Sequence, residues 1–349
     1  MSVFVLPDPD TVTLGGLRFA ALTEGEVVHR VRTALARGIG GRIATPNVDI
    51  LRQAALDASI RKDLENADLL VADGAPLVWA ARLSGTPLPE RVTGSGLIWA
   101  LSAGLAIDGS SVFLLGGDPA SNGAGRAAAR LLEHYPGLRI AGTASPRYGF
   151  DAEPRSLQKV LSRVVEAEPD LVFVGLGFPK QERLIEQLRP VLPSSWFLGC
   201  GAAINFVAGD ARRAPVWMQR TGLEWAHRLA SEPRRLGRRY LREDAPFAVR
   251  LLASSALRRD RVRDDDEFFA LLTPDEGRAW NARYDEEAAV PDHVASAAPD
   301  HVASAAPDHV ASAAPDHVAS AAPDHVASGL DLDVPQVEVK RRPRPRPHR

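Results

Sequence analysis

The chain has 349 residues, a formal net charge of −2, 45% hydrophobic and 25% charged residues, which is the make-up of a globular protein with room for two domains. Its one cysteine, Cys200, excludes an intrachain disulfide and suits a reducing cytosol. No apolar run approaches the length of a membrane-spanning helix, and the first ten residues have neither a basic start nor a long apolar core, so no signal peptide is expected and any membrane contact is expected to be peripheral.

From about Leu14 to Asn205 short apolar runs alternate with helical spacing. Gly15-Gly16 reads as a hairpin turn between two short strands. Helical spacing follows from Glu24 to Arg37, then a strand from Gly41 to Thr45 and a helix from Val48 to Ala58. Asp68 to Ala72 reads as a strand, Ala75 to Ser84 and Leu97 to Leu105 as helices. The strand Ser111 to Leu115 leads through Gly116-Gly117 into a helix from about Gly123 to His134. Leu138 to Thr143 is a strand, Leu157 to Ala167 a helix, and Leu171 to Val174 and Trp196 to Leu198 complete the strands. This alternation predicts an α/β fold, a Rossmann-like and mostly parallel sheet flanked by helices.

Ligands of such sheets bind beyond the carboxyl ends of the strands. The residues following each strand are therefore the candidates. Asn47, in Thr45-Pro46-Asn47, either binds a ligand hydroxyl or base edge or caps the next helix. Asp73 is either a general base for a sugar hydroxyl or an N-cap. Arg91, in the loop Pro-Glu-Arg-Val-Thr-Gly, either grips phosphate with both prongs or forms a surface salt bridge. Gly116-Gly117-Asp118 with Asn122-Gly123 is a glycine-rich strand–helix turn. It lacks the Walker lysine–serine/threonine pair and a clean G-x-G-x-x-G, so neither an ATPase nor a dehydrogenase is read from it.

Val172 to Glu182 is the densest signal. A buried strand runs into a glycine turn at Gly175 and Gly177, Pro179 takes a first helical position, and Lys180, Gln181 and Glu182 stand at the helix mouth. Exposed backbone N–H groups, the helix N-terminus and a lysine together favour a phosphorylated ligand. The alternative is a junction that is merely compact. No His, Cys and Asp cluster has metal-ligand spacing and no Asp-x-Asp ends a strand, so no metal and no cofactor are expected.

Ala211 to Arg242 changes character. Nine arginines stand against Glu224 and Glu232, a net +7, interleaved with Trp217, Met218, Trp225, Leu236 and Tyr240. Such basic, part-apolar helices suit an anionic membrane surface, a polyanion or plain solvation. No nucleic-acid motif accompanies them, so no nucleic-acid partner is expected. Asp264-Asp265-Asp266 reverses the charge. From Pro291 the unit Pro-Asp-His-Val-Ala-Ser-Ala-Ala repeats at 291, 299, 307 and 315, with a partial copy at 323. It has too little apolar bulk for a core and reads as a disordered spacer before a basic proline-rich tail. The expected division is an α/β domain over 1–210, a basic helical appendage over 211–288, and the spacer and tail over 289–349.

Taken in order, Thr45-Pro-Asn47, Ala72-Asp73-Gly74, Glu90-Arg91-Val-Thr-Gly94, Phe113-Leu-Leu-Gly-Gly117, Gly175-Leu-Gly-Phe-Pro-Lys-Gln-Glu182, Arg213-Ala-Pro-Val-Trp217 and Gly222-Leu-Glu-Trp-Ala-His-Arg-Leu-Ala-Ser-Glu-Pro-Arg-Arg235 resemble the WecG/TagA/CpsF glycosyltransferases, over about Leu14 to Leu241. The resemblance implies metal-independent, inverting transfer from a UDP-sugar to a polyprenyl-diphosphate-linked sugar. N-acetylmannosamine or its uronic acid is the first donor sugar to consider, and some members transfer glucose or other hexoses. Asp73 matches the proposed base, and Arg91 and Gln181 match residues implicated in activity, Arg91 toward the leaving diphosphate. Thr45 and Asn47 match the donor pocket. Gly116, Gly117, Gly177, Lys180 and Glu182 join them as expected substrate-binding positions. The implied appendage places Arg234, Arg235, Arg238 and Arg239 against lipid phosphates or the acceptor diphosphate, on the inner face of the cell membrane. It also implies self-association, on which the residues themselves are silent. A non-catalytic nucleotide-sugar-binding module is the rival reading.

Overall fold

A computed structural model describes residues 9–211, 214–231 and 233–258. The octapeptide repeats, the acidic run, the basic tail, Arg212 and Arg213 lie outside the described residues, as does the side chain of Arg235.

Strands β1 (Thr11–Leu14) and β2 (Leu17–Ala20) form the expected hairpin, with Gly15 and Gly16 both at positive φ in the two-residue turn. Six further strands form one all-parallel sheet: β3 (Gly41–Ala44), β4 (Leu69–Leu70), β5 (Ser111–Gly116), β6 (Arg139–Ala144), β7 (Leu171–Gly175) and β8 (Trp196–Gly199). Their spatial order is β4-β3-β8-β7-β5-β6. A parallel sheet is covered on both faces, which is why β5 reads as an unbroken buried run. Along β5 and β7 the side chains still alternate. Val112, Leu114, Leu171 and Phe173 enter one core cluster, while Phe113, Leu115, Val172 and Val174 enter another.

Helices α1 (Glu24–Leu35), α2 (Val48–Leu56), α3 (Ala58–Glu65), α4 (Ala75–Leu83), α5 (Gly94–Asp108), α6 (Gly123–His134), α7 (Pro154–Ala167), α8 (Lys180–Leu188) and α9 (Ala203–Ala208) connect and cover the strands. Thr23 and Glu26 close a reciprocal capping box that starts α1. The single helix expected from Val48 to Ala58 is two. Asp57 ends α2 in an extended conformation and its carboxylate accepts from the N–H groups of Ser59 and Ile60, capping α3. Pro179, expected as the first helical residue, is the N-cap of α8, and the helix begins one position later at Lys180.

The chain leaves β5 through α6 toward β6 at one side and leaves β7 through α8 toward β8 at the other. α6 supplies Ala124, Ala127, Ala128 and Leu131 to one face of the sheet, and α8 supplies Leu184, Ile185 and Leu188 to the opposite face. The carboxyl ends of β5 and β7 thus flank a point where connections diverge, the place where such sheets open a crevice.

Helices α10 (Val216–Thr221), α11 (Glu224–Ser231) and α12 (Pro233–Arg238), a π-helical turn (Arg239–Asp244) and α13 (Ala245–Arg258) follow. They pack on the α/β body. Phe247 and Leu251 of α13 are buried in the same cluster as Leu14, Phe19, Leu70 and Leu77. No helix among the described residues is long and apolar enough to cross a membrane.

Candidate functional site at the carboxyl edge of the sheet

The carboxyl edge gathers the segments that carry the candidates. Beyond β3 and β4 the two chains stay paired: Val71 N–H donates to the Ala44 carbonyl (3.0 Å) and Asp73 N–H to the Pro46 carbonyl (3.1 Å). This sets Asp73 beside Thr45-Pro46-Asn47. The loop carrying Arg91 joins from the other side, since Val92 N–H donates to the Ala72 carbonyl (3.1 Å). Thr93 then starts α5, its hydroxyl accepting from Gly96 N–H at 2.9 Å. Thr45 Oγ1 lies 3.5 Å from the Gly199 carbonyl at the end of β8. A Cβ at Gly94 would stand 3.2 Å from Cys200 Cα and 3.3 Å from Thr45 Oγ1, so β3, β8 and the start of α5 meet there in tight contact. Thr45, Asp73, Arg91 and the Gly199–Gly201 turn therefore share one wall of the edge.

Each candidate can now be placed. The N-cap of α4 is Gly74, so Asp73 does not occupy the N-cap position that rivalled the base reading. Asn47 does cap α2: its Oδ1 accepts from Ile50 N–H at 3.0 Å, leaving the amide nitrogen as its donor toward a ligand. The turn at Gly177 has positive φ and open space where a side chain would stand. Gly116 and Gly117, expected to bind substrate, have a packing explanation instead. A side chain at Gly116 would strike the Gly175 carbonyl, and one at Gly117 would press on the first turn of α6. Lys180 pairs with Asp151 at 2.9 Å, on the side of α7.

Glu182 is displaced from its expected role. It is 4% exposed and its Oε2 lies 2.7 Å from Nη2 of Arg42, which is fully buried on β3. Arg42 also donates to Asp63 (2.8 and 2.9 Å) and Glu186 (2.9 Å). Burial pushes the Glu182 carboxyl up, against the pull of Arg42, and the surrounding carboxylates hold the Arg42 guanidinium charged. Gln181 is equally buried. Its Nε2 donates to Glu182 Oε1 (3.1 Å) and its Oε1 accepts from Gly201 N–H (3.0 Å). Arg42 is not among the sequence candidates, although a charge within an apolar strand is a signal that marks it. Cys200 lies in the same turn, but burial pushes its thiol up to about 12, so it is no nucleophile near neutral pH.

The appendage reaches the same edge. Arg91 Nη1 donates to Glu224 Oε2 of α11 at 3.3 Å, and Arg228 Nη2 meets Glu224 Oε1 at 3.5 Å. Arg228 also lies over the Phe206 ring of α9, 5.5 Å from its centroid. The salt-bridge reading of Arg91 thus holds in this structure, with a largely buried partner. A second contact joins α2 to the π-helical turn: Arg52 meets Asp244 (3.2 Å), Glu243 (3.2 Å) and Asp49 (2.9 Å). Arg239, expected among the lipid-facing arginines, turns to the same cluster, 3.8 Å from Asp49 and 3.9 Å from Asp244. Arg234 and Arg238 remain exposed. Among the described residues no three His, Cys, Asp or Glu side chains gather as a metal-binding group.

Comparison with known proteins finds named relatives of the chain. A relative from Bacillus spizizenii is 30% identical over 209 residues, 60% of this chain and 78% of its own length. One from Staphylococcus aureus (strain MRSA252) is 30% identical over 231 residues, 65% and 87% of the two chains. One from Bacillus subtilis (strain 168) is 30% identical over 195 residues, 56% and 73%. All three are named N-acetylglucosaminyldiphosphoundecaprenol N-acetyl-beta-D-mannosaminyltransferase. The sequence model of the WecG/TagA/CpsF glycosyl transferases matches residues 12–261, from the first hairpin strand to just past α13, and the chain belongs to that family.

Proposed function

We propose that this glycosyltransferase moves one sugar from a UDP-sugar to a polyprenyl-diphosphate-linked sugar acceptor, with inversion and without a metal, in the making of a surface polysaccharide. N-acetylmannosamine is the donor sugar proposed first, from the names of the relatives, with its uronic acid next. The observation that carries the reading is one wall of the sheet edge shared by Asp73, Thr45, Arg91 and the Gly199–Gly201 turn, with the open turn at Gly177 following the next strand.

In this reading Thr45 and the Asn47 amide line the donor pocket. Asp73 takes the proton of the acceptor hydroxyl as that oxygen bonds to the anomeric carbon. The bond from that carbon to the UDP oxygen breaks, its electron pair leaves with the diphosphate, and Arg91 meets the charge that develops there. A single displacement inverts the centre. The exposed Trp217 (60%), Trp225 (45%) and Leu241 (62%), together with Arg234 and Arg238, support peripheral contact with an anionic inner-leaflet surface.

The test is UDP release from a panel of UDP-sugars, with and without a polyprenyl-diphosphate-GlcNAc analogue, in the presence and absence of a chelator. Acceptor-dependent release with one sugar, unchanged by chelation, is expected. Release that needs a divalent metal would overturn the metal-independent step. No release with any sugar or lipid-linked acceptor would overturn the transfer itself and favour a binding module.

A further inference from the structure

The Arg42–Glu182 pair touches no open surface of the edge, yet it is connected to it through a directional chain. A carboxylate only accepts hydrogen bonds, so Glu182 Oε1 dictates which end of the Gln181 amide faces it. The nitrogen must face Glu182, and the oxygen is thereby turned to Gly201 N–H. Reversing the amide would set its oxygen against a carboxylate and its NH2 against an N–H donor. Glu182 is itself held in an ion pair with Nη2 of Arg42, whose guanidinium is fixed by the two oxygens of Asp63 and by Glu186. The far end of the chain is the Gly199–Gly201 turn, whose Gly199 carbonyl stands next to Thr45. The packing is close throughout: a Cβ at Gly199 would lie 2.6 Å from Gln181 Nε2 and 2.7 Å from Glu182 Oε1.

We propose that Glu182, held by Arg42, is a positioning residue that orients Gln181 and through it fixes the Gly199–Gly201 turn as a wall of the donor pocket. Gln181 then works by holding that turn and not by touching the donor. The catalytic consequence rests on the transfer reaction proposed above; the positioning itself does not. A misplaced wall raises the barrier because small displacements of a bound reactant are costly, up to about a hundredfold for about an ångström.

The experiment compares E182Q, Q181A and the double variant in the full chain by three readouts. These are transfer kinetics with the donor, thermal stability, and the backbone amide signal of Gly201 in protein labelled selectively with 15N-glycine. E182Q is expected to lower kcat/KM for the donor by roughly ten- to a hundredfold, but by less than about twofold once residue 181 is alanine, since residues acting as one unit are not additive. The Gly201 amide is expected to shift and lose exchange protection in both single variants. An equal kinetic loss from E182Q in both backgrounds would mean a structural role only and would overturn the proposal. So would an unmoved Gly201 amide. If the wild type transfers no sugar, the functional reading fails, and the Gly201 amide alone decides the positioning. Should E182Q not fold, R42K carries the same test, because one ammonium keeps a buried positive charge but cannot meet both Asp63 and Glu182 as the guanidinium does.

Discussion

The carboxyl edge of the sheet and the helices after residue 213 place their charged residues by different means. At the edge, position follows from strand register. Asp73 sits beside Pro46 because β3 and β4 stay paired past their last strand residues, and a loop hydrogen bond from Val92 N–H to the Ala72 carbonyl brings Arg91 alongside. In the appendage, position follows from ion pairing. Arg228 and Arg239 have carboxylate partners in Glu224, Asp49 and Asp244, while Arg234 and Arg238 stay exposed. A net charge of +7 over Ala211 to Arg242 therefore does not translate into one positive surface. Part of it fastens the appendage to the body, while Arg234, Arg238 and Arg242 are offered outward.

The largest expected effect comes from breaking the edge at its carboxylate. Asp73→Asn is expected to lower transfer by about 10²–10⁴-fold, the range for losing a general base. UDP binding and melting temperature should stay near wild type, because asparagine keeps the size and shape of the side chain at a position that is not the N-cap of α4. Calorimetric UDP titration beside the transfer assay checks both halves. Activity within a few-fold of wild type would remove Asp73 as the base.

The next effect breaks the fastening. Glu224→Ala leaves Arg91 and Arg228 facing each other without their carboxylate. Removing one partner of a fully buried pair costs about 3–5 kcal/mol. Arg91 keeps some solvent contact, so the cost should fall toward the low end of the roughly 2–5 kcal/mol range seen when one member of a buried charge pair is truncated. The loss should be local: amide exchange should speed up across α10 and α11 while β5 and β7 keep their protection. Uniform loss of protection would mean that the appendage and the body unfold as one.

A smaller effect separates the two kinds of arginine. Arg234→Ala with Arg238→Ala should weaken binding to anionic vesicles by about 1 kcal/mol per residue at low salt, with no change in melting temperature. Arg239→Ala should do the reverse, lowering stability while nearly sparing vesicle affinity. Equal vesicle losses for all three would put Arg239 back at the lipid surface.

This division explains what could be read in advance. The strands and most helices were legible because buried parallel strands are continuous apolar runs and α6 carries a clean apolar stripe. The break at Asp57 was not, since α2 and α3 together keep a helical spacing and only the cap interrupts it. At the edge, the placement of Thr45, Asp73 and Arg91 can be read in advance because each follows or neighbours a strand end. Glu182 was assigned to substrate because its charge stands at a helix mouth. Whether such a charge meets a ligand or a buried counter-ion depends on Arg42, which lies 140 residues away in sequence and enters only through the sheet. Glu224 gave a fainter signal, an acid inside a strongly basic segment, whose partner was again set by tertiary packing.

The last test concerns the second fastening, and its sign is informative. Asp244 touches Arg52 and Arg239, which favour its charged form, yet burial and the neighbouring Asp49 push its carboxyl up to about 7. In an unfolded chain the group titrates near the ordinary aspartate value of about 3.9. Between those two values the folded protein holds a proton that the unfolded chain has released, so this group's contribution to stability is fully present below about pH 4 and is lost as the pH rises through about 7. The Asp244→Asn side chain mimics the protonated form at every pH. That variant should therefore match wild type below about pH 4 and exceed it increasingly as the pH rises toward 7, by at most about 1.4 kcal/mol for each pH unit between the two titration points. If melting curves instead show the asparagine variant losing ground as the pH rises, the two arginines outweigh burial and Asp49. The cluster would then be an ordinary ion-pair clamp, strongest when its carboxylates are all charged.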